Sequence, residues 1–238
     1  MNQLKKYYDH NSGKAIRGMR AADRPFVEQG SPSSRIAREP DKNIPGQRGF
    51  PPLTRYDLYQ IMKEELHSDS SDLVTRPSGQ AVRKRIECEL EKEEHGAVVA
   101  LDFSKIGIVD YSCADEIVAK LVSRLISDEY GNRYIVLSGL NENQKENIEV
   151  ALERKDLSVM AQLRKGKKIL LGSLNNYLKE TLQFVLDNDK TTAKDLSDAL
   201  GIEANTSGTR LLNLHKKRLV RRVDTIRDGG RVWVYERT

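Results

Sequence analysis

An almost unbroken apolar run, Ala97–Phe103 (AVVALDF), constrains the fold of this chain more than any other feature. Such a run predicts a strand buried on both faces, as the strands of parallel sheets are. Farther along the chain, apolar residues recur at helical spacing, namely Ile117, Val118, Leu121, Val122 and Leu125. Ser112 therefore begins a predicted helix just after the carboxyl end of a buried strand. A strand followed by a helix predicts an α/β fold, in which ligands and modifications act at that edge of the sheet.

The sequence on either side extends this α/β unit over residues 53–172, because helix-spaced and strand-like apolar segments alternate there. The predicted elements are a helix through Leu58, Ile61, Met62 and Leu66, a helix over about Gln80–Glu93, a strand in NRYIVLSGL, a helix in NENQKENIEVALERK and a hairpin in SVMAQLRKGKKILLG that turns at Lys165-Gly166. Strands that alternate with helices in this order predict a sheet with helices packed against it.

Part of this unit resembles the STAS fold of anti-sigma-factor antagonists. In that family the strand ends in Asp-Ser-Ser-Gly, and a partner kinase phosphorylates the second serine. The matching stretch here is Asp110-Tyr111-Ser112-Cys113, so Ser112 falls on the phosphorylated position. Tyr111 and Cys113 depart from the family pattern.

The resemblance is closer to the STAS-like family of unknown function, and it covers roughly residues 53–172. The shared motifs are Leu101-Asp102-Phe103, Ser112-Cys113-Ala114-Asp115-Glu116, and Arg76-Pro77-Ser78-Gly79 before a basic helix. This resemblance implies a domain that senses a protein partner, for which a histidine-kinase-like ATPase is the candidate. Ser112 is then a candidate phosphorylation site. The partner surface that the resemblance implies consists of Asp110, Tyr111, Asp115 and Glu116.

A simpler interpretation of Ser112 is a helix cap. Ser-x-x-Asp before an apolar run is a capping box in the broad sense, in which Ser112 accepts from the N–H of Asp115 while Asp115 reaches back. Asp115 and Glu116 would also repel an added phosphate. The cap and the phosphoswitch both remain open at this point.

Residues 173–238 predict three helices followed by a β-hairpin. Leu178 lies in the first helix, Thr191 or Thr192 caps the second, which ends at Gly201, and the third runs from about Asn205 to Arg218. The alternating stretch LVRRVDTIRDGGRVWVYERT then predicts two strands joined at Asp228-Gly229-Gly230. This order resembles the winged helix-turn-helix family, which implies DNA binding, although some winged helices bind proteins.

The third helix and the hairpin carry the candidate DNA contacts. In a helix-turn-helix the second helix of the motif enters the major groove. Short hydrogen-bonding side chains and cations occur there, and they suit base and phosphate contacts. These residues are Asn205, Thr206, Ser207, Thr209, Arg210, Asn213, Lys216, Lys217, Arg227 and Arg231. A solvated basic face or a protein-binding surface is the alternative interpretation.

The charge distribution also points to a polyanion. The chain has 238 residues, and its net charge is +5 over residues 1–52, −3 over 53–172 and +3 over 173–238. Residues 1–52 are rich in Pro, Gly and Ser without an apolar period, so they predict a flexible basic arm. A basic excess on both sides of a mildly acidic middle suits a nucleic-acid partner.

Several other classes of protein are disfavoured. No apolar run approaches the ~20 residues of a membrane span, and no secretory signal is visible. Cys88 and Cys113 do not make a disulfide framework, which favours a cytoplasmic setting. The four histidines are scattered, and neither HExxH, GxGxxG nor a Walker sequence occurs, so we predict no catalytic residue, metal or cofactor.

The sequence therefore predicts a non-enzymatic, bacterial-type regulator. Its architecture is a flexible arm (1–52), a STAS-like α/β domain that senses a partner (53–172) and a DNA-binding winged helix of α+β class (173–238). The alternative is a protein–protein adaptor in a kinase or anti-sigma-type signalling pathway, whose winged helix does not bind DNA.

Overall fold

The computed structural model describes residues 53–163, 166–227 and 230–238. The predicted arm over residues 1–52 therefore lies outside the described residues. So do Lys165 of the predicted β-turn, Asp228-Gly229 of the second turn and the side chain of Arg227.

A five-stranded sheet lies at the centre of the described residues. Its strands are β1 (Thr54–Asp57), β2 (Val98–Asp102), β3 (Tyr134–Ser138), β4 (Ser158–Gln162) and β5 (Lys168–Gly172). They lie side by side in sequence order, with β1 to β4 parallel and β5 antiparallel to β4. The buried strand after residue 97, the hairpin near residue 165 and the mixed α/β class are thus confirmed.

Helices connect the parallel strands. They are α1 (Leu58–Leu66), α2 (Arg76–Leu90), α3 (Tyr111–Ala114), α4 (Lys120–Ile126) and α5 (Glu142–Glu153). A π-helical turn, Asp115–Ala119, joins α3 to α4, and the residues at both junctions keep a right-handed helical backbone, so the three pieces run on as one helix. α2 begins earlier than predicted because the side chain of Thr75 accepts from the N–H of Ser78 and Pro77 lies in the first turn.

The C-terminal part has the predicted order of elements. Three helices, α6 (Asn176–Asp187), α7 (Ala193–Leu200) and α8 (Ala204–Lys216), precede the antiparallel strands β6 (Val220–Arg227) and β7 (Gly230–Arg237). Thr192 caps α7 in a reciprocal capping box with Asp195. Gly201 ends α7 with a φ of +63°, a conformation that glycine adopts without a steric penalty.

Hydrophobic cores cover both faces of the sheet. Leu101 and Leu137 lie in one register row and pack with residues of α1, α2, the α3–α4 helix and α5. On the opposite face, Val136 and Met160 pack with α6, α7, α8 and the base of the hairpin. The apolar run of β2 is unbroken because its alternate residues contribute to different cores, and the C-terminal elements share one of these cores with the sheet.

The carboxyl end of α8 is anchored beside the sheet by Arg218. Its guanidinium donates to the Leu125 carbonyl oxygen at 3.0 Å, to Asn132 Oδ1 at 3.2 Å and to Asp128 Oδ1 at 2.5 Å. Nearby, His215 Nδ1 lies 3.1 Å from the hydroxyl of Tyr134, the first residue of β3. These long-range polar contacts fix the position of the carboxyl end of α8 relative to the sheet. They therefore help to determine which face of α8 is exposed to solvent.

Candidate functional site

The helix that follows β2 is capped by Asp110, and the predicted Ser112 cap is wrong. The Asp110 carboxylate accepts from the Cys113 N–H at 2.7 Å, and the Ser112 hydroxyl donates to the same carboxylate at 2.9 and 3.0 Å. Because the helix begins at Tyr111, Ser112 is already inside its first turn and cannot occupy the cap position. Ser112 is half-buried, and whether it is phosphorylated stays a prediction.

Asp115 and Glu116 do not form part of an open partner surface, in contrast to the prediction. Their side chains are only 8% and 3% exposed. Arg76 Nη1 donates to both carboxylates, at 3.0 Å and 2.8 Å, while Lys155 pairs with Asp115 and Lys120 with Glu116. Burial acts to raise the pKa of Asp115, but the hydrogen bonds from Lys155 and Arg76 outweigh it and hold the pKa below its ordinary value.

The other two residues of the predicted partner surface, Asp110 and Tyr111, are half-buried at the start of α3. The guanidinium of Arg154 lies over the Tyr111 ring, 4.7 Å from its centroid. Cys113 points inward, where its thiol donates to the Thr75 carbonyl oxygen at 3.0 Å and burial raises its pKa to about 12. Cys113 is therefore a packing residue with an unreactive thiol.

One face of α8 is turned to solvent. Ser207, Leu211 and Leu214 recur at helical spacing and are buried. The predicted DNA contact at Ser207 is wrong for this reason, and its hydroxyl donates to the Glu203 carbonyl oxygen within the helix. The remaining predicted residues of this segment lie away from that buried face: Asn205, Thr206, Thr209 and Lys216 are exposed, whereas Arg210, Asn213 and Lys217 are half-buried.

An open groove of 440 Å³ runs between α6 and α8. It brings together five predicted contact residues with one that the sequence analysis missed: Asn205, Thr206, Thr209, Arg210, Asn213 and Tyr177. Tyr177 is an exposed aromatic residue in the first turn of α6. An aromatic residue on the polar face of an otherwise amphipathic helix was the signal that could have identified it.

Arg210 is restrained inside this groove. Its Nη1 donates to Glu180 Oε2 at 3.2 Å, and its guanidinium lies 5.4 Å from the centroid of the Tyr177 ring. Both partners belong to α6, so the two walls of the groove are joined through Arg210.

The hairpin carries further arginines, and the described ones have partners. Arg231 is well exposed and forms an ion pair with Asp224, with its Nε 2.7 Å from Asp224 Oδ2. Arg222 stacks on the exposed ring of Trp233, with its guanidinium carbon 3.7 Å from a ring centroid. Among its described side chains, the hairpin thus combines cations with the exposed ring of Trp233.

Other kinds of site find no support in the part of the chain that the structure describes. No three His, Cys, Asp or Glu residues there come together in a way that could hold a metal ion. Within the same residues, no helix is both long enough and apolar enough to cross a membrane. Compared with known proteins, the sequence matches no family model and no curated protein.

Proposed function

We propose that this protein is a non-enzymatic regulator that binds duplex DNA through the outward face of α8. In this proposal residues 173–238 act as a winged helix, and residues 53–172 act as a STAS-like domain that senses a protein partner. One observation carries the proposal: hydrogen-bonding side chains, among them Asn205 and Thr209, share a face of α8 that no other element covers among the described residues.

The dimensions of α8 suit a major groove. The helix has 13 residues, so it is about 20 Å long, and a major groove admits a helix with its side chains. Asn205 and Thr206 occupy the first turn, which is the end of a recognition helix that meets base edges. An asparagine there can form a bidentate contact with adenine.

Cations at the other end of α8 can supply sequence-independent affinity. Lys216 is exposed in the last turn, and Lys217 follows it. Lys194 is exposed on α7, the helix that would cross the DNA backbone in this arrangement. Phosphate contacts from such residues position a protein on DNA, and they make its affinity fall with salt.

In the same proposal, the partner of the STAS-like domain, for which a histidine-kinase-like ATPase is the candidate, contacts the helix start at Asp110, Tyr111 and Ser112. Phosphorylation of Ser112 would replace the hydrogen bond to Asp110 with repulsion between a phosphate and the carboxylate. Mass spectrometry of the protein isolated from its native cells tests this part. Absence of phosphate on Ser112 would reject the proposed phosphorylation switch.

A protein–protein adaptor is the second candidate, and the hairpin favours it. Arg231 is paired with Asp224, and Arg221 lies 3.6 Å from Glu236, so both cations are partly neutralised. The exposed ring of Trp233 is also typical of protein interfaces, in which tryptophan is enriched.

The test uses the full-length chain, because the C-terminal elements share a hydrophobic core with the sheet. Duplexes are selected from a randomised pool, and their affinity is measured against salt concentration. Asn205→Ala should weaken binding to the selected sequence by about 1–3 kcal/mol. Lys216→Gln should weaken all sequences alike and reduce the salt slope by about 1. Gln183→Ala, on α6 but outside the groove, serves as the control.

Duplex binding that is absent even at low salt would reject the DNA proposal. A stable complex with a protein from the native cells that needs Trp233 would then support the adaptor.

A further inference from the structure

Arg210 differs from the other arginine of the candidate interface whose side chain is described. Its side chain is 18% exposed, whereas that of Arg231 is 76% exposed. Arg210 is held at two places, by the carboxylate of Glu180 at 3.2 Å and by the ring of Tyr177. An arginine restrained in this way enters a complex with fewer rotamers to lose than a free surface arginine has.

We infer that Glu180 is a specificity-determining residue, which positions Arg210 to recognise a guanine in the major groove without touching DNA itself. This inference rests on the proposed DNA-binding function and names the base that the groove between α6 and α8 would recognise.

The hydrogen-bonding capacity of Arg210 fits this role. A guanidinium has five N–H donors in a rigid planar fork. Glu180 accepts a hydrogen bond from Nη1. Tyr177 contacts the guanidinium through its ring. The other N–H groups of the fork can therefore donate to a further acceptor. The O6 and N7 atoms of guanine form the acceptor pair that an arginine fork matches. Phosphate oxygens also accept from arginine, but an orientation fixed by Glu180 favours one direction of approach.

The negative charge of Glu180 should affect general affinity and base preference differently. Its side chain is 58% exposed and paired with Arg210, so in a complex it would repel DNA phosphates and partly neutralise Arg210. Glu180 should therefore weaken binding to every sequence slightly, while it strengthens the preference for one base pair. This combination distinguishes a positioning residue from a simple phosphate contact.

The experiment compares base preference with general affinity in the full-length chain. Duplexes that carry each base pair at the position contacted by Arg210 are titrated with the wild type, with Glu180→Gln, with Arg210→Lys and with the double variant. Asp187→Asn is the matched control, because it removes one negative charge from the exposed end of the same helix. Circular dichroism verifies that every variant is folded.

We expect the wild type to prefer guanine by about 5–150-fold, the range of a bidentate arginine contact. Arg210→Lys keeps the charge but lacks the fork, so it should lose this preference and retain general affinity. Glu180→Gln should reduce the preference while it raises affinity for unrelated duplexes. In the Arg210→Lys background, Glu180→Gln should not change base preference. Asp187→Asn should raise general affinity and leave base preference intact.

Two results would overturn the inference separately from the proposed function. If the protein binds duplex DNA with a guanine preference that Glu180→Gln does not reduce, Glu180 does not position Arg210. If Glu180→Gln and Asp187→Asn change base preference equally, the effect is one of charge alone. Absence of duplex binding in the wild type would reject both the inference and the proposed function.

Discussion

Gly79 brings α2 into close contact with the helix that begins at Tyr111. A Cβ atom at this position would lie 3.0 Å from Cys113 Cα and 3.0 Å from Glu116 Cβ. Real Cβ atoms seldom come so close to their neighbours, and both of these atoms belong to or adjoin the backbone of a helix. Gly79→Ala therefore cannot be accommodated by rotation of a flexible side chain, and the two helices must move apart.

The magnitude follows from two opposing terms. Alanine in a helix interior is favoured over glycine by about 0.5–1 kcal/mol. Overpacking of a close contact costs about 1–3 kcal/mol. Gly208→Ala provides the matched control, because Gly208 also lies within a helix but a Cβ there would be 3.8 Å from its nearest neighbour, Ala193 Cβ. We expect Gly208→Ala to be stabilising, and Gly79→Ala to be less stable than Gly208→Ala by about 1–3 kcal/mol.

Urea unfolding of the full-length protein, followed by circular dichroism, measures the free energy of unfolding of both variants. The helix propensity term is common to the two substitutions, so their difference reports the close contact between the helices. Equal stabilisation by Gly79→Ala and Gly208→Ala would show that the contact is loose, and the packing argument would be refuted.

Three further results are expected. Because burial raises the pKa of Cys113 to about 12, iodoacetamide at pH 8 should alkylate exposed Cys88 in the folded protein and Cys113 only after unfolding, and mass spectrometry that finds equal labelling would contradict this. Burial lowers the pKa of His215 below 6.5, so the stability that its neutral form contributes is complete above pH 6.5 and is lost as the pH falls through the lowered value. His215→Gln should flatten that part of the curve of urea midpoint against pH, and an unchanged curve would exclude His215 as the titrating group. Asp110→Ala should cost about 0.5–2 kcal/mol as the loss of a cap, and Ser112→Ala should cost less in the same urea assay, whereas the opposite order would make Ser112 the more important residue.

Sequence patterns predicted those helices and strands whose position and ends depend on residues close together in the chain. The apolar run at β2 required a strand buried on both faces, and the two cores on either side of Leu101 are its consequence. The spacing in residues 193–201 fixed both ends of α7, because Thr192 and Gly201 act on N–H and carbonyl groups within one helical turn of themselves. β1 was missed, because Thr54–Asp57 is short and half polar and is recognisable as a strand only through its pairing with β2.

Tertiary structure decided what the charged and polar side chains face. The sequence predicted that Asp115 and Glu116 form an acidic surface. Both are buried instead, and Arg76, from a helix almost forty residues earlier in the chain, donates hydrogen bonds to them. Arg210 likewise meets Glu180 from another helix. A sequence fixes contacts within about one helical turn, whereas the packing of distant elements determines burial and ion pairing. The sequence by itself thus determined where most of the helices and strands lie, and only the tertiary structure decided which face of α8 is exposed to solvent.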